Sequence, residues 1–259
     1  MTMARSYSTL GSDPATPAPG PISFAQLVRA EWAKATDTRA ARWLLALSAL
    51  TTMGMMLVPV IVPTTFDQTY ASYLAVASIG QVILLPVVAM LLLTGEWSQR
   101  SIMATFTQEP RRMRVVTAKL ATAMMLGGGA AVFGGAVTAA GLGLAAASGR
   151  ELEANLSIGA IAGYVLYVLL NVLGGAAFGA LVQSSAAAIA AYFTVNPAVA
   201  LLATASTPVA DWVDTATIWN WVLHNDWDGH ALQISVSVLL WVALPLAAGT
   251  YRTVRRDVG

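Results

Sequence analysis

The chain has no cysteine, which excludes disulfides and thiolate metal sites and leaves the redox compartment open. Charge is scarce too. Asp, Glu, Lys and Arg make up 10% of 259 residues, against roughly 25% in an ordinary soluble domain. The stretches 43–62, 71–94, 120–147, 157–182, 186–206 and 231–249 contain no Asp, Glu, Lys, Arg or His. An ionisable group at mid-bilayer costs ~2.5–3.5 kcal/mol on insertion scales and usually marks a proton or ion pathway. Its absence from these stretches argues against a proton-coupled transporter or an ion-selective pore. No Gly-Lys-[Ser/Thr] follows the glycines of the third stretch, so nothing in the chain can hydrolyse ATP. His224 and His230 lie outside the stretches, and Ser184 and Ser185 fall at a turn on the other side. No serine–histidine dyad can form across ~30 Å of hydrocarbon, and catalysis by this chain itself is not expected.

What is present is 57% hydrophobic residues, gathered into six runs that each reach about the 20 residues needed to span a bilayer. Threading them in turn puts thirteen of the fourteen Lys and Arg on one side. Arg5, Arg29, Lys34, Arg39 and Arg42 precede the first run; Arg100, Arg111, Arg112, Arg114 and Lys119 separate the second and third; Arg252, Arg255 and Arg256 follow the last. Only Arg150 falls opposite, among Asp67, Glu151, Glu153, Asp211, Asp214, Asp226 and Asp228. Basic residues stay on the cytoplasmic side, so the expectation is a six-span, all-α protein of an inner membrane with both termini inside. No internal repeat is visible.

Residues 1–22 are rich in Pro, Ser, Thr and Gly and lack an apolar core, which reads as a disordered cytoplasmic tail and not a signal peptide. Residues 23–42 form an amphipathic interfacial helix. Ser23 and Gln26 make a capping box, Ile22 is placed to staple onto Leu27, and Phe24, Leu27, Val28, Trp32 and Ala35 recur on one face. A solvated lead-in helix is the plainer alternative. The transmembrane domain then runs over 43–251, with a short tail at 252–259. Gly175 and Gly179 form a GxxxG pair, and the glycines of the third run serve the same close helix packing. Gln81, Tyr164, Tyr167, Asn171, Tyr192 and Asn196 are among the polar residues left inside the runs. They serve as interhelical hydrogen bonds or line a substrate surface, and Gln81, Asn171, Tyr167, Tyr192 and Asn196 are the candidate pathway residues.

Two connections are long. In 95–119, Ile102, Met103 and Phe106 share one helical face, Pro110 ends that helix, and Arg111, Arg112 and Lys119 read as interface anchors, the two arginines on lipid phosphates. The segment is either a passive linker or a docking element. In 208–230, Trp212, Trp219, Trp221 and Trp227 alternate with acids, as in a segment that dips into the interface and, with Asn196-Pro197, caps the bundle. His224, Asp226, Asp228 and His230 have ligand chemistry but match no metal-binding spacing.

Segment 95–119 resembles the first cytoplasmic loop of type 2 ATP-binding-cassette (ABC) permeases, the exporter-type membrane subunits. The matching features are Gly95-Glu96 at the end of the second span, a coupling helix over 98–107, Pro110-Arg111-Arg112, and Lys119 entering the third span. Glu31 and Lys34 fit the Glu and Lys of that family's elbow helix, and the resemblance covers nearly everything after residue 22. It implies a permease that forms a pathway with a second permease, identical or related. It also implies coupling to a separate ATPase subunit that binds ATP and Mg, this chain holding no cofactor and no nucleic acid. Glu96, Arg100, Ser101, Ile102, Thr105 and Phe106 would be the coupling and docking residues. Glu96 either pairs with a cation, such as Arg100 or a residue of the elbow helix, or stays a solvated carboxylate. The implied cargo is an amphipathic or hydrophobic compound. An ATPase-independent carrier or channel is the alternative.

Overall fold

The computed structural model describes residues 22–99, 105, 107, 109–151 and 157–255. The elements are α1 (Phe24–Asp37), α2 (Arg39–Ile61), a 3-10 turn (Pro63–Thr65), α3 (Tyr70–Ser98), α4 (Arg112–Ala147), α5 (Ile158–Val182), α6 (Ser185–Ala203), α7 (Thr207–Trp212), α8 (Thr215–Leu223) and α9 (Ala231–Arg255). Six of them, α2 to α6 and α9, are long and apolar enough to cross a membrane, and the described residues contain no sheet. The protein is an all-α, multi-pass helical architecture.

The lead-in helix begins as its capping signals require. Ser23 Oγ accepts from Gln26 N at 3.2 Å while Gln26 Oε1 accepts from Ser23 N at 2.8 Å. It ends at Asp37, not 42. Thr38 is extended (φ −71°, ψ 141°), so its hydroxyl caps α2 and residues 39–42 join the first spanning helix. Helix α4 also starts earlier than expected. Its 36 residues measure about 54 Å, so it outreaches ~30 Å of hydrocarbon, with Lys119 inside its first turns. The last helix runs on to Arg255, through residues expected as tail, and Leu239–Ala243 within it is a π-helical segment.

Burial sorts the spans into centre and periphery. Within the most apolar window of α3, 67% of residues are buried, against 6% for α6, so α3 is the axis of the bundle and α6 flanks it. The core gathers Leu85, Ala89 and Leu93 of α3, Ala123 and Ala131 of α4, and Val168, Val172 and Ala176 of α5. Helix α5 approaches α3 closely because Gly175 and Gly179 lie on the contact. A Cβ on Gly175 would stand 2.6 Å from Pro86 Cα, and one on Gly179 3.1 Å from Met90 Cα. The expected GxxxG packing is therefore real, whereas Gly128 and Gly129 of α4 have nothing within 4 Å.

Spanning helices consecutive in the chain run antiparallel, and side chains tie helix ends together. Arg150 donates to Pro59 O (3.3 Å) and Val60 O, capping the last carbonyls of α2. Arg112 Nη1 does the same for α9 through Thr253 O (3.1 Å) and Val254 O (3.2 Å). At the start of α6, Ser185 Oγ lies 2.7 Å from Thr94 Oγ1 and 3.0 Å from Ser98 Oγ. A second core, Leu170, Ile218, Trp219, Val222, Ile234 and Val242, seats α8 against α5 and α9 at the end where α2 finishes.

Candidate functional site: a charged cluster and a polar-aromatic cavity

At the end of the bundle holding α1, four ionised side chains from three helices meet. Glu31 and Lys34 share a face of α1 because they are three residues apart; Lys34 Nζ donates to Glu31 Oε1 at 2.7 Å. The same ammonium donates to Glu96 Oε1 of α3 at 2.6 Å. From α4, Lys119 Nζ donates to Glu31 Oε2 at 2.7 Å and to the Leu92 carbonyl at 3.2 Å, and stands 3.3 Å from Glu96 Oε2. Two carboxylates and two ammoniums balance, which is what permits burial: Glu31 is 3% exposed and Lys119 4%. The cluster reaches the long loop as well, since Thr105 Oγ1 donates to Glu96 Oε1 at 2.9 Å.

Lys34 is the half-exposed member. Burial alone works against its charged form, but the hydrogen bonds and proximity of Glu31 and Glu96 outweigh that and hold its pKa above the ordinary lysine value. A second pair extends the lock. Arg114 donates to Glu109 Oε2 at 2.6 Å and to Ile22 O at 2.9 Å, and Glu109 Oε1 accepts from Arg111 N at 3.1 Å. A cavity of about 240 Å³ adjoins the cluster, bounded by α1, the start of α2, the end of α3 and Ser185.

The structure thus resolves the two readings of Glu96: it pairs with a cation of the lead-in helix, Lys34, and with Lys119 besides. Two expectations change. Glu96 and Lys119 lie inside spanning helices α3 and α4, not beyond their ends, because both helices run further than the apolar runs that signalled them. Lys119 is also no surface anchor; its ammonium is consumed by carboxylates within the bundle. Arg112 spends hydrogen bonds on α9 carbonyls, while Arg111 is exposed. Thr105 and Thr107 are helical; Arg100, Ser101, Ile102 and Phe106 lie outside the described residues. The Glu31–Lys34 spacing was the visible signal of the cluster. Glu109 had none, since an acid before Pro110 reads as loop.

At the opposite end, a cavity of about 310 Å³ lies between α5, α6 and α8. Four of the five candidate pathway residues line it: Tyr167, Asn171, Tyr192 and Asn196. Asn171 Nδ2 donates to Tyr167 O (2.8 Å) and Asn196 Nδ2 to Tyr192 O (2.9 Å), each one helical turn back. Asn196 Oδ1 accepts from Thr215 Oγ1 at 3.0 Å, tying α6 to α8. The fifth, Gln81, is elsewhere. It is 1% exposed and serves as a helix-packing bond, donating to Ala130 O at 2.8 Å and accepting from Tyr164 at 2.8 Å.

The tryptophan-rich segment folds as α7 and α8, but Trp219 is 5% exposed and packs into the core, not outward as an interface anchor. Pro197 lies within α6. His230 stacks on Trp221 at 4.0 Å and stands 3.4 Å from Asp226. Among the described residues no three His, Cys, Asp or Glu side chains are placed to hold a metal ion.

No protein-family model matches the chain, and no curated protein matches it significantly.

Proposed function

We propose that the protein is the membrane-spanning permease subunit of an ABC exporter of a bacterial cytoplasmic membrane, with both termini inside. In this reading it forms a translocation pathway as a dimer, identical or with a related chain, and a separate ATPase subunit supplies the energy. The observation that carries this is the Glu31–Lys34–Glu96–Lys119 cluster together with Thr105. An ATPase docked on the loop over 98–107 must move spanning helices, which requires a stiff joint between loop and bundle. Glu96 binds the loop through Thr105, the lead-in helix through Lys34, and α4 through Lys119. A push on the loop therefore reaches α1, α3 and α4 as one body. Arg114, holding Glu109 and the Ile22 carbonyl, braces the other end of the loop. Exposed Arg111 is left for lipid phosphates. The cargo is an amphipathic or hydrophobic compound, exported and not imported.

The test is purification of the tagged protein in mild detergent, with mass spectrometry of the chains that come with it. A stoichiometric soluble subunit bearing Walker motifs is expected. Glu96→Gln should keep that subunit bound while uncoupling its ATP turnover from export. If no ATPase is recovered even after cross-linking, this reading fails. An ATPase-independent carrier is favoured by one observation, a buried carboxylate inside a spanning helix, which is proton-pathway chemistry. Against it, both carboxylates of the cluster are already neutralised by lysines. Transport that survives ATP depletion under a proton gradient would select the carrier.

A further inference from the structure

The cavity between α5, α6 and α8 gathers polar side chains of three helices, Tyr167, Asn171, Tyr192, Asn196 and Thr215, among apolar and aromatic neighbours. Tyr167 and Tyr192 hydroxyls, Asn171 Oδ1 and Trp219 Nε1 have no hydrogen-bond partner among the described residues, although Asn171 is 8% exposed and Trp219 5%. Donors and acceptors left open beside aromatic walls gain from a ligand that supplies the missing partners. The walls are aromatic: Tyr167, Tyr192, Phe193 and Trp219. Tyr192 is itself held edge-on by Phe178 at 5.3 Å and by Phe193 at 5.4 Å, so its ring position is set before anything binds. No lining residue carries a charge. A volume of about 310 Å³ is at the small end for a ligand site. The Asn196–Thr215 bond holds α8 across the space.

We infer that this cavity, within a single protomer, binds a small neutral aromatic molecule bearing both hydrogen-bond donor and acceptor groups, with α8 as its cover. Asn171 Oδ1 and Trp219 Nε1 fit a phenol-like or amide-like group, the first accepting and the second donating. The tyrosine rings take the planar body, and an anion is refused because no cation lines the space to neutralise it and the ring faces repel it. That such a molecule is the exported cargo rests on the permease reading; that it binds does not.

The experiment is photoaffinity labelling of the purified protein in nanodiscs with a diazirine derivative of 4-phenylphenol. Competitors are unlabelled 4-phenylphenol and an anionic counterpart, biphenyl-4-carboxylate, and labelled peptides are mapped by mass spectrometry. Labelling should saturate, concentrate on α6 and α8, and be displaced by the phenol and not by the carboxylate. Asn171→Leu should weaken it about five- to ten-fold, the loss of one well-placed hydrogen bond. Ala216→Phe, which fills the space from α8, should abolish it if the protein remains monodisperse. Labelling that rises without saturation over all lipid-facing helices, or equal competition by the carboxylate, overturns the site. No ATPase is needed for this measurement, so failure to recover one leaves its outcome unaffected.

Discussion

The two ends of the bundle solve the problem of polar groups among apolar helices in opposite ways. At the charged end, every carboxylate of the cluster meets a lysine, and three helices and a loop are drawn into one network. At the aromatic end no charge lines the cavity, and several hydrogen-bonding atoms stay open around it. A charge-balanced buried network holds one geometry, since breaking any pair strands a charge. An uncharged cavity with open donors and acceptors tolerates change, because no element depends on it for neutrality. Helices α1, α3 and α4 thus carry a fixed joint, while α5, α6 and α8 border an adaptable space.

Lys119→Met should break that contrast most severely, leaving Glu31 and Glu96 with one shared cation. A loss of about 3–5 kcal/mol in stability is expected, read as a collapse of monodisperse yield and of the thermal midpoint in detergent. A wild-type midpoint would mean the cluster is not structural. Between the ends, Tyr164→Phe strips one donor from buried Gln81, and about 1–2 kcal/mol should be lost by the same assay. At the aromatic end, Asn171→Leu should change stability by less than about 1 kcal/mol, because the bond it removes is local to one turn of α5. A cost matching that of Lys119→Met would erase the distinction between the ends.

The smallest effect concerns pH. The pKa of Lys34 is raised in the folded protein, so the stability it contributes is fully present below the ordinary lysine value of 10.5. That stability is lost as pH rises from there through the elevated folded-state value. Thermal midpoints measured from neutral to strongly alkaline pH should fall more steeply for the wild type than for Lys34→Gln. Parallel curves would show that Lys34 is paired only weakly.

Much of this was legible in the residues. The six runs, the capping box at Ser23 and Gln26, and the Gly175–Gly179 approach followed from local chemistry that tertiary contacts did not override. The grouping of Tyr167, Asn171, Tyr192 and Asn196 was legible only in part. All four stood out as polar residues in apolar runs, but so did Gln81, and nothing local told a packing bond from an open cavity. Lys119 misled for a different reason. A lysine at the edge of an apolar run has the same local pattern whether its ammonium meets phosphate or a carboxylate on another helix.

What the sequence by itself determined is therefore the number of spanning helices, their ends to within a turn or two, and the segregation of basic residues to one end. These depend on the length of apolar runs and on the cost of ions in hydrocarbon, both local properties. Only the tertiary structure decided that Glu31, Lys34, Glu96 and Lys119 form one neutral cluster, and that α6 and α8 face each other across a cavity. Those outcomes depend on which faces of helices far apart in the chain meet. Charge balance and ring packing reward such meetings only once the bundle has closed.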